Sequence, residues 1–237
     1  MPIAVIIPTY NERENLPEVV RQLLALPLAL RVWIVDDNSP DGTGEVAEAL
    51  AARFPQVRVM RRPGKGGRGS ACLAGFQEAL ACPEVTHVVE MDADLSHDPA
   101  ELPAIVEKAR ACDVVIASRY LPGSRIVNWG WQRHLFSRLA NLYARALLGI
   151  PIRDYTNGYR CYRRQALEAL NLGAIQTTGY IVLSEVAYHL HRKGFRFGEV
   201  PTCFVNRERG RSNTNLAEIG DAFGGIWRIR RARGTRP

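Results

Sequence analysis

The sequence predicts one α/β domain on a mostly parallel sheet covered by helices on both faces. Three observations lead there. Short β-branched runs alternate with segments of helical periodicity through the first half of the chain. The runs are almost wholly apolar, as strands buried on both faces are. The 237 residues can bury a substantial core, and no internal repeat or low-complexity stretch marks a boundary.

Residues 3–7 form the first strand, stopped by Pro8, and residues 30–35 the second, stopped by Asp36-Asp37. Helical periodicity follows each, over 14–26 and 44–53. Residues 57–60 read as a third strand, 69–81 as a helix, 85–91 as a fourth strand, 99–111 as a helix and 114–118 as a fifth strand. Beyond Arg119 the pattern changes. Residues 131–148 are strongly amphipathic, with Leu135, Leu139, Leu142 and Leu147 near helical spacing. Residues 159–163 and 195–205 read as strands separated by a helix over 180–193, which Gly194 suits as a C-terminal cap. Residues 216–229 place Leu216, Ile219, Phe223, Ile226 and Trp227 on one face, with Arg228 and Arg231 off it. That stripe fits either a core contact or a membrane surface, and Gly224-Gly225 would weaken a free-standing helix. The expected division is a main α/β unit over 1–215 and a basic amphipathic segment over 216–237, the latter a candidate membrane-facing element.

Composition narrows the function classes. Hydrophobic residues at 46% and charged residues at 23% exclude a disordered chain. No apolar run approaches the roughly 18 to 20 residues of a membrane span, and the N-terminus enters a strand pattern directly, so a cytoplasmic chain is expected. The five cysteines are odd in number and widely spaced, without a Cys-x-x-Cys pair, which indicates reduced thiols and no zinc site. His189 and His191, two apart on a helix, face different ways and are expected at the surface. The net charge is +7, and residues 207–237 hold eight Arg against Glu208, Glu218 and Asp221. Nucleic acid, a membrane surface or a phosphorylated substrate would each suit that charge.

In a parallel sheet the ligand crevice lies beyond the carboxyl ends of the strands. Four loops converge there: Pro8-Thr9-Tyr10-Asn11-Glu12, Asp36-Asp37-Asn38-Ser39, Asp92-Ala93-Asp94 and Ser118-Arg119-Tyr120. Two carboxylates one residue apart at a strand end suit a hard divalent ion that keeps other positions for water and phosphate oxygens. Capping of the next helix is the alternative. The run Gly64-Lys65-Gly66-Gly67-Arg68-Gly69-Ser70 lacks the phosphate-loop spacing, and no Gly-x-Gly-x-x-Gly follows the first strand, so neither a P-loop nor a dinucleotide fold is indicated. It reads as a flexible loop entering a helix, with a secondary place near a donor. Arg133 and Ser137, four apart near a helix N-terminus, make either a phosphate pocket or a solvated surface pair.

Those loops resemble family 2 glycosyltransferases, and within them the dolichol- or polyprenol-phosphate mannose synthases. The likeness rests on Pro8 to Pro17, Asp36-Asp37-Asn38-Ser39-Pro40-Asp41-Gly42-Thr43, Asp92-Ala93-Asp94-Leu95-Ser96-His97 and Ser118-Arg119-Tyr120. It continues through Asp154-Tyr155-Thr156-Asn157-Gly158-Tyr159-Arg160, Gly198-Glu199-Val200-Pro201 and Arg207-x-x-Gly210-x-Ser212. The resemblance implies a GT-A-like domain that moves a hexose from a nucleotide sugar, GDP-mannose, to a polyprenyl phosphate with Mg²⁺ or Mn²⁺. Pro8, Tyr10, Glu12, Asp37, Asp92, Ala93 and Arg207 would hold the nucleotide, and Asp92, Asp94 and Ser96 the metal. Ser96 stands where the family often has Gln. Arg119, Arg133 and Ser137 would hold the acceptor phosphate, with Asp92, Asp94 and Arg119 as the catalytic set. Asn213 replaces the family's lysine, a lost phosphate contact that Arg209 or Arg211 could restore. For Asp154 the reading is turn capping together with Thr156.

The charge of the reaction fits this set. An ion and fixed Arg donors would stabilise negative charge on the leaving diphosphate, and a phosphate monoester needs no general base. Inversion at the sugar carbon is the expected outcome. The alternatives are another donor such as UDP-glucose, a hydroxyl acceptor, or a basic protein that binds membrane or nucleic acid without catalysis. Clustered carboxylates count against the last, so no nucleic-acid partner is expected. No Gln-x-x-Arg-Trp motif of polysaccharide synthesis is found. The basic C-terminus and lipid acceptor imply peripheral attachment at the cytoplasmic face of a membrane.

Overall fold

The computed structural model describes residues 2–175, 179, 181–206 and 216–231, with backbone alone for 216–223. Its centre is a seven-stranded sheet in the order β3-β2-β1-β4-β7-β5-β8. These are β1 (Ile3–Thr9), β2 (Leu30–Asp36), β3 (Val57–Arg61), β4 (His87–Glu90), β5 (Val114–Ser118), β7 (Arg160–Arg163) and β8 (Phe197–Pro201). Only β7 runs antiparallel, between β4 and β5. The carboxyl ends of β1, β2, β4 and β5 therefore share one edge, as the sequence predicts.

Alternation along β1 shows why the sheet is buried on both faces. Ile3, Val5 and Ile7 pack with Leu16, Val19, Val20 and Leu23 of α1 (Leu16–Leu24). Ala4 and Ile6 face the other way, toward Ala71, Cys72 and Phe76 of α3 (Arg68–Leu80). Each large apolar side chain so buried contributes about 1.5–3 kcal/mol. The β1–α3 contact is close enough to require glycine: a Cβ on Gly75 would lie 2.4 Å from Ile6 Cγ2. α2 (Thr43–Arg53) covers β2 and β3, and α4 (Leu102–Lys108) lies against β5 and β8.

Several expected elements differ in detail. The 195–205 run is two strands: β8 joins the main sheet, while β9 (Cys203–Val205) pairs in parallel with β6 (Arg125–Val127). The break at Thr202 is held by Glu101, which accepts from the Thr202 hydroxyl and, at 2.7 Å, from the Cys203 backbone N–H. The 99–111 segment is a 3₁₀ turn, Pro99–Glu101, followed by α4. β6 and α6 (Arg164–Glu168), three and five residues long, are too short to display a period and were not foreseen.

α5 (Trp131–Leu148) and α7 (Ile181–Arg192) match the expected helices closely, and Gly194 adopts the left-handed cap conformation at φ 83°. α8 (Leu216–Arg231) packs against both. Ile226 and Ile229 are buried in the core, while Trp227 is 46% exposed. Gly225 lies where α8 meets α7, since a Cβ there would be 2.6 Å from Ile181 Cδ1. Among the described residues no helix is long and apolar enough to cross a membrane.

Candidate active site

The loops after β1 and β2 lock together through Asp36. Its carboxylate accepts from the Thr9 hydroxyl at 3.1 Å, the Ser39 hydroxyl at 2.5 Å and the Ser39 N–H at 3.0 Å. The Asn11 N–H donates to Ser39 Oγ, and the Glu12 N–H to Thr43 Oγ1 at 2.9 Å. Asp36 thus ties the two loops together, beside Asp37, the carboxylate expected at the nucleotide. Asp37 is ion-paired with Arg62, and its Oδ2 accepts the backbone N–H groups of Gly66, at 3.1 Å, and Gly67, at 2.7 Å. Gly67 has φ 85°, a conformation few other residues tolerate. Lys65 Nζ lies 3.8 Å from the centre of the Tyr10 ring. The glycine-rich run therefore folds onto the expected nucleotide residues. Pro8 remains inside β1, opposite Val35.

The Asp92-Ala93-Asp94 loop begins two residues after β4 ends. Asp92 accepts from Arg68 Nε at 2.6 Å, and the same guanidinium reaches buried Glu90 at 3.0 Å and the Gly158 carbonyl at 3.1 Å. Glu90 in turn accepts from the Tyr162 hydroxyl at 2.7 Å. Asp94 Oδ1 accepts the Ser96 N–H at 3.0 Å and its hydroxyl at 2.5 Å, with Leu95 at φ 61° between them. Ala93 is buried. Among the described residues no group of three or more His, Cys, Asp or Glu side chains could enclose a metal. The expected donor set, Asp92, Asp94 and Ser96, offers two carboxylates and one hydroxyl, all hard oxygens, a chemistry that would suit Mg²⁺ or Mn²⁺ sharing its shell with phosphate and water.

Arg119 stands across the edge on β5's outgoing loop. Its Nε and Nη2 donate to the two oxygens of Asp154 at 2.8 Å each, and Nη2 also donates to Thr156 Oγ1 at 2.6 Å. Asp154 additionally accepts the N–H groups of Arg119, Thr156 and Asn157. The turn-capping reading of Asp154 is correct but incomplete, because the carboxylate also clamps Arg119. Burial alone would raise the Asp154 pKa; the Arg119 charge and the converging N–H groups outweigh it and hold the carboxyl below its usual range.

Arg133 and Arg119 meet around Trp129, with guanidinium carbons 4.4 and 5.3 Å from the ring centre. Arg133 Nη1 donates to Asn206 Oδ1 at 2.7 Å. Ser137 Oγ accepts from Tyr120 OH at 2.6 Å, and the Arg119 guanidinium carbon lies 5.8 Å from the Tyr120 ring centre, so the three expected acceptor residues cluster. Burial raises the Tyr120 hydroxyl pKa, which keeps that donor protonated. Arg207 and the neighbouring Arg209, Arg211 and Asn213 lie outside the described residues.

Arg62, Arg68, Trp129 and the clamp role of Asp154 were missed from sequence. The available signal for Arg68 was its place inside the glycine-rich run, and Arg62 stands two residues before that run. The five cysteines are free, and burial pushes the Cys161 thiol up to about 12. His189 and His191 are half-buried rather than fully at the surface.

A family profile described as glycosyl transferase family 2 matches residues 4–170. The chain is a family 2 glycosyltransferase. It is 44% identical, over 98% of its length and 90% of the relative's, to the polyprenol monophosphomannose synthase of Mycolicibacterium smegmatis. It is 42% identical to the undecaprenyl-phosphate mannosyltransferase of Micrococcus luteus, covering 96% of this chain and 93% of that one. A solved glucosyl-3-phosphoglycerate synthase from Mycobacterium tuberculosis, with Mn²⁺ and UDP, superposes with a TM-score of 0.69 at 19% identity over 100% of this chain and 81% of that one. That likeness shows the shared GT-A-like fold of this glycosyltransferase.

Proposed function

We propose that this glycosyltransferase moves mannose from GDP-mannose to a polyprenyl phosphate, with inversion, using Mg²⁺ or Mn²⁺. The observation that carries this reading is the near-full-length similarity to two bacterial lipid-phosphate mannosyltransferases. The site chemistry supports it. Asp37, Tyr10, Glu12 and Pro8 take the nucleotide, with Arg207 closing over the diphosphate. Asp92 and Asp94, with Ser96 beside them, would hold the ion, which as a Lewis acid stabilises charge growing on the leaving diphosphate oxygen.

Arg119, Arg133 and Ser137 orient the acceptor phosphate. One of its oxygens attacks the sugar anomeric carbon from the face opposite the diphosphate, and the bond to GDP breaks with its electron pair on the diphosphate oxygen. No proton needs removal, because a phosphate monoester is mostly dianionic above its second pKa of about 6. Arg68 already touches Asp92, so it is placed to share in neutralising the diphosphate.

We assign residues 1–215 to catalysis and 216–237 to a basic segment that meets the cytoplasmic face of the membrane. Exposed Trp131, Leu135, Leu139 and Leu142 lie at helical spacing along α5, the helix that also carries Arg133 and Ser137. Trp227 on α8 is likewise exposed. Basic residues beside such a stripe each add about 1 kcal/mol of attraction to an anionic bilayer.

The test is incubation with Mg²⁺ or Mn²⁺, polyprenyl phosphate and labelled GDP-mannose, with UDP-glucose in a parallel reaction. Mannosyl phosphoryl lipid is expected from the first alone. Sugar transfer from UDP-glucose alone would overturn the donor, and no lipid product from either would overturn the acceptor.

A further inference from the structure

His97 and Asn157 are each about 1% exposed and lie between the donor and acceptor halves of the site. His97 Nδ1 accepts the Asp92 backbone N–H at 3.0 Å, so Nδ1 carries no proton and Nε2 does. Nε2 then donates to Asn157 Oδ1 at 2.8 Å. The Asn157 amide has one orientation, because its nitrogen donates to the Ala117 carbonyl and only its oxygen remains for the imidazole. On its far side, the Asn157 backbone N–H donates to Asp154 Oδ1 at 3.0 Å, in the carboxylate that clamps Arg119. Stacking on Tyr159 at 5.2 Å and an edge contact to Phe204 at 5.8 Å fix the ring plane.

A histidine buried only for packing would need one polar partner per nitrogen, from anywhere. Here the two partners are the main chain of the acidic loop and a residue bonded to the Arg119 clamp. We infer that His97 and Asn157 are positioning residues that set the separation between the Asp92-Ala93-Asp94 loop and the Arg119 guanidinium. Both are too deeply buried to touch substrate. Two anions must meet in line at one carbon, and a misplacement of about 1 Å can cost roughly a hundredfold in rate. The identity of the two ligands rests on the proposed function; the hydrogen-bond chain belongs to this protein regardless.

His97→Asn and His97→Gln separate the two bonds. The Asn side-chain oxygen falls near the place of Nδ1 and can accept the Asp92 N–H, whereas the Gln amide nitrogen falls near Nε2 and can donate to Asn157. GDP affinity with Mn²⁺ is measured by calorimetry, kcat and the lipid-phosphate KM by label transfer, and folding by thermal melting. The Gln variant is expected to weaken Mn²⁺-dependent GDP binding roughly tenfold, as removal of a partner behind a ligand does. The Asn variant is expected to keep that affinity within about twofold while losing kcat roughly ten- to a hundredfold. Asn157→Ala is expected to raise the lipid-phosphate KM. Equal losses in both His97 variants that merely track the melting temperature, or parental values in both, would overturn the inference.

If neither variant folds, nitrogen NMR of the parent's imidazoles decides. A protonated Nε2 and a bare Nδ1 coupled to the Asp92 amide are expected, and a protonated Nδ1 overturns. Should the parent bind GDP with Mn²⁺ and show the Asn–Gln split but transfer no sugar, the acceptor reading fails and the positioning role stands.

Discussion

On the proposed donor side, Asp37 and Asp92 follow buried parallel strands, and each meets an arginine, Arg62 just before the glycine-rich run and Arg68 within it. On the acceptor side, Arg133 and Ser137 ride on α5, whose outer face leaves Trp131 73% and Leu142 65% exposed. One half holds its charges in pairs on a rigid sheet edge, where geometry can be kept for chemistry. The other sets its charges beside apolar surface, where a ligand with a charged head and an oily tail can be met. Arg119 spans both styles, a cation of the proposed acceptor side held by a fully buried carboxylate.

If the contrast is right, substitutions on the donor edge abolish turnover and those on the helix change where the enzyme works. The largest effect is expected from Asp92→Ala with Asp94→Ala. Loss of several kcal/mol of charge stabilisation should lower kcat by roughly a thousandfold or more, with little change in melting temperature. Label transfer and calorimetric melting check this together.

Asp154→Ala comes next and should act on stability as well as rate. It strips the Arg119 guanidinium of its buried partner, and breaking such a pair costs about 3–5 kcal/mol. Urea unfolding reads that loss. The Asp154 carboxyl, depressed in the folded state, adds stability that is present above the unfolded value of 3.8 and disappears as pH falls through the folded pKa. The parent should therefore lose stability on acidification below about pH 4 more steeply than Asp154→Asn, which has no such proton to bind. Identical acid limbs for parent and variant would contradict the clamp.

Arg119→Lys should retain the positive charge but lose the two-pronged contact to Asp154, raising the lipid-phosphate KM by roughly tenfold or more. GDP affinity should stay near the parental value. The smallest effect on chemistry belongs to Leu139→Glu with Leu142→Glu. Each apolar side chain withheld from lipid removes about 1.5–3 kcal/mol of partition energy, so sedimentation with anionic vesicles should fall by at least roughly tenfold. GDP binding in solution should not change. Vesicle binding that survives these substitutions would place the membrane contact elsewhere.

The sheet edge was legible because strand ends and loop chemistry are local. Pro8, Asp37, Asp92 and Arg119 each stand at or just past the end of an apolar run, and the fold brings them to one rim. The resemblance selects Asp37 over Asp36, but the bonds from Thr9 and Ser39 that tie Asp36 into the converging loops are not written in any local pattern. The pairing of Arg68 with Asp92 joins residues 24 apart in sequence, and that of Arg119 with Asp154 joins residues 35 apart. No periodicity encodes such partners. The split of residues 195–205 escaped for a similar reason, because Glu101 from a distant turn breaks the run. α5 was located correctly, but its amphipathic spacing does not tell which leucines stay exposed, since that depends on where the neighbouring helices pack.

Mn²⁺ electron paramagnetic resonance on the parent and the Asp94→Asn protein, each with and without GDP, bears most directly on the acidic pair. The account predicts a bound Mn²⁺ signal in the parent that GDP strengthens, and its loss in the variant even though the protein remains folded. An unchanged bound signal in Asp94→Asn would contradict the assignment of the ion to this loop.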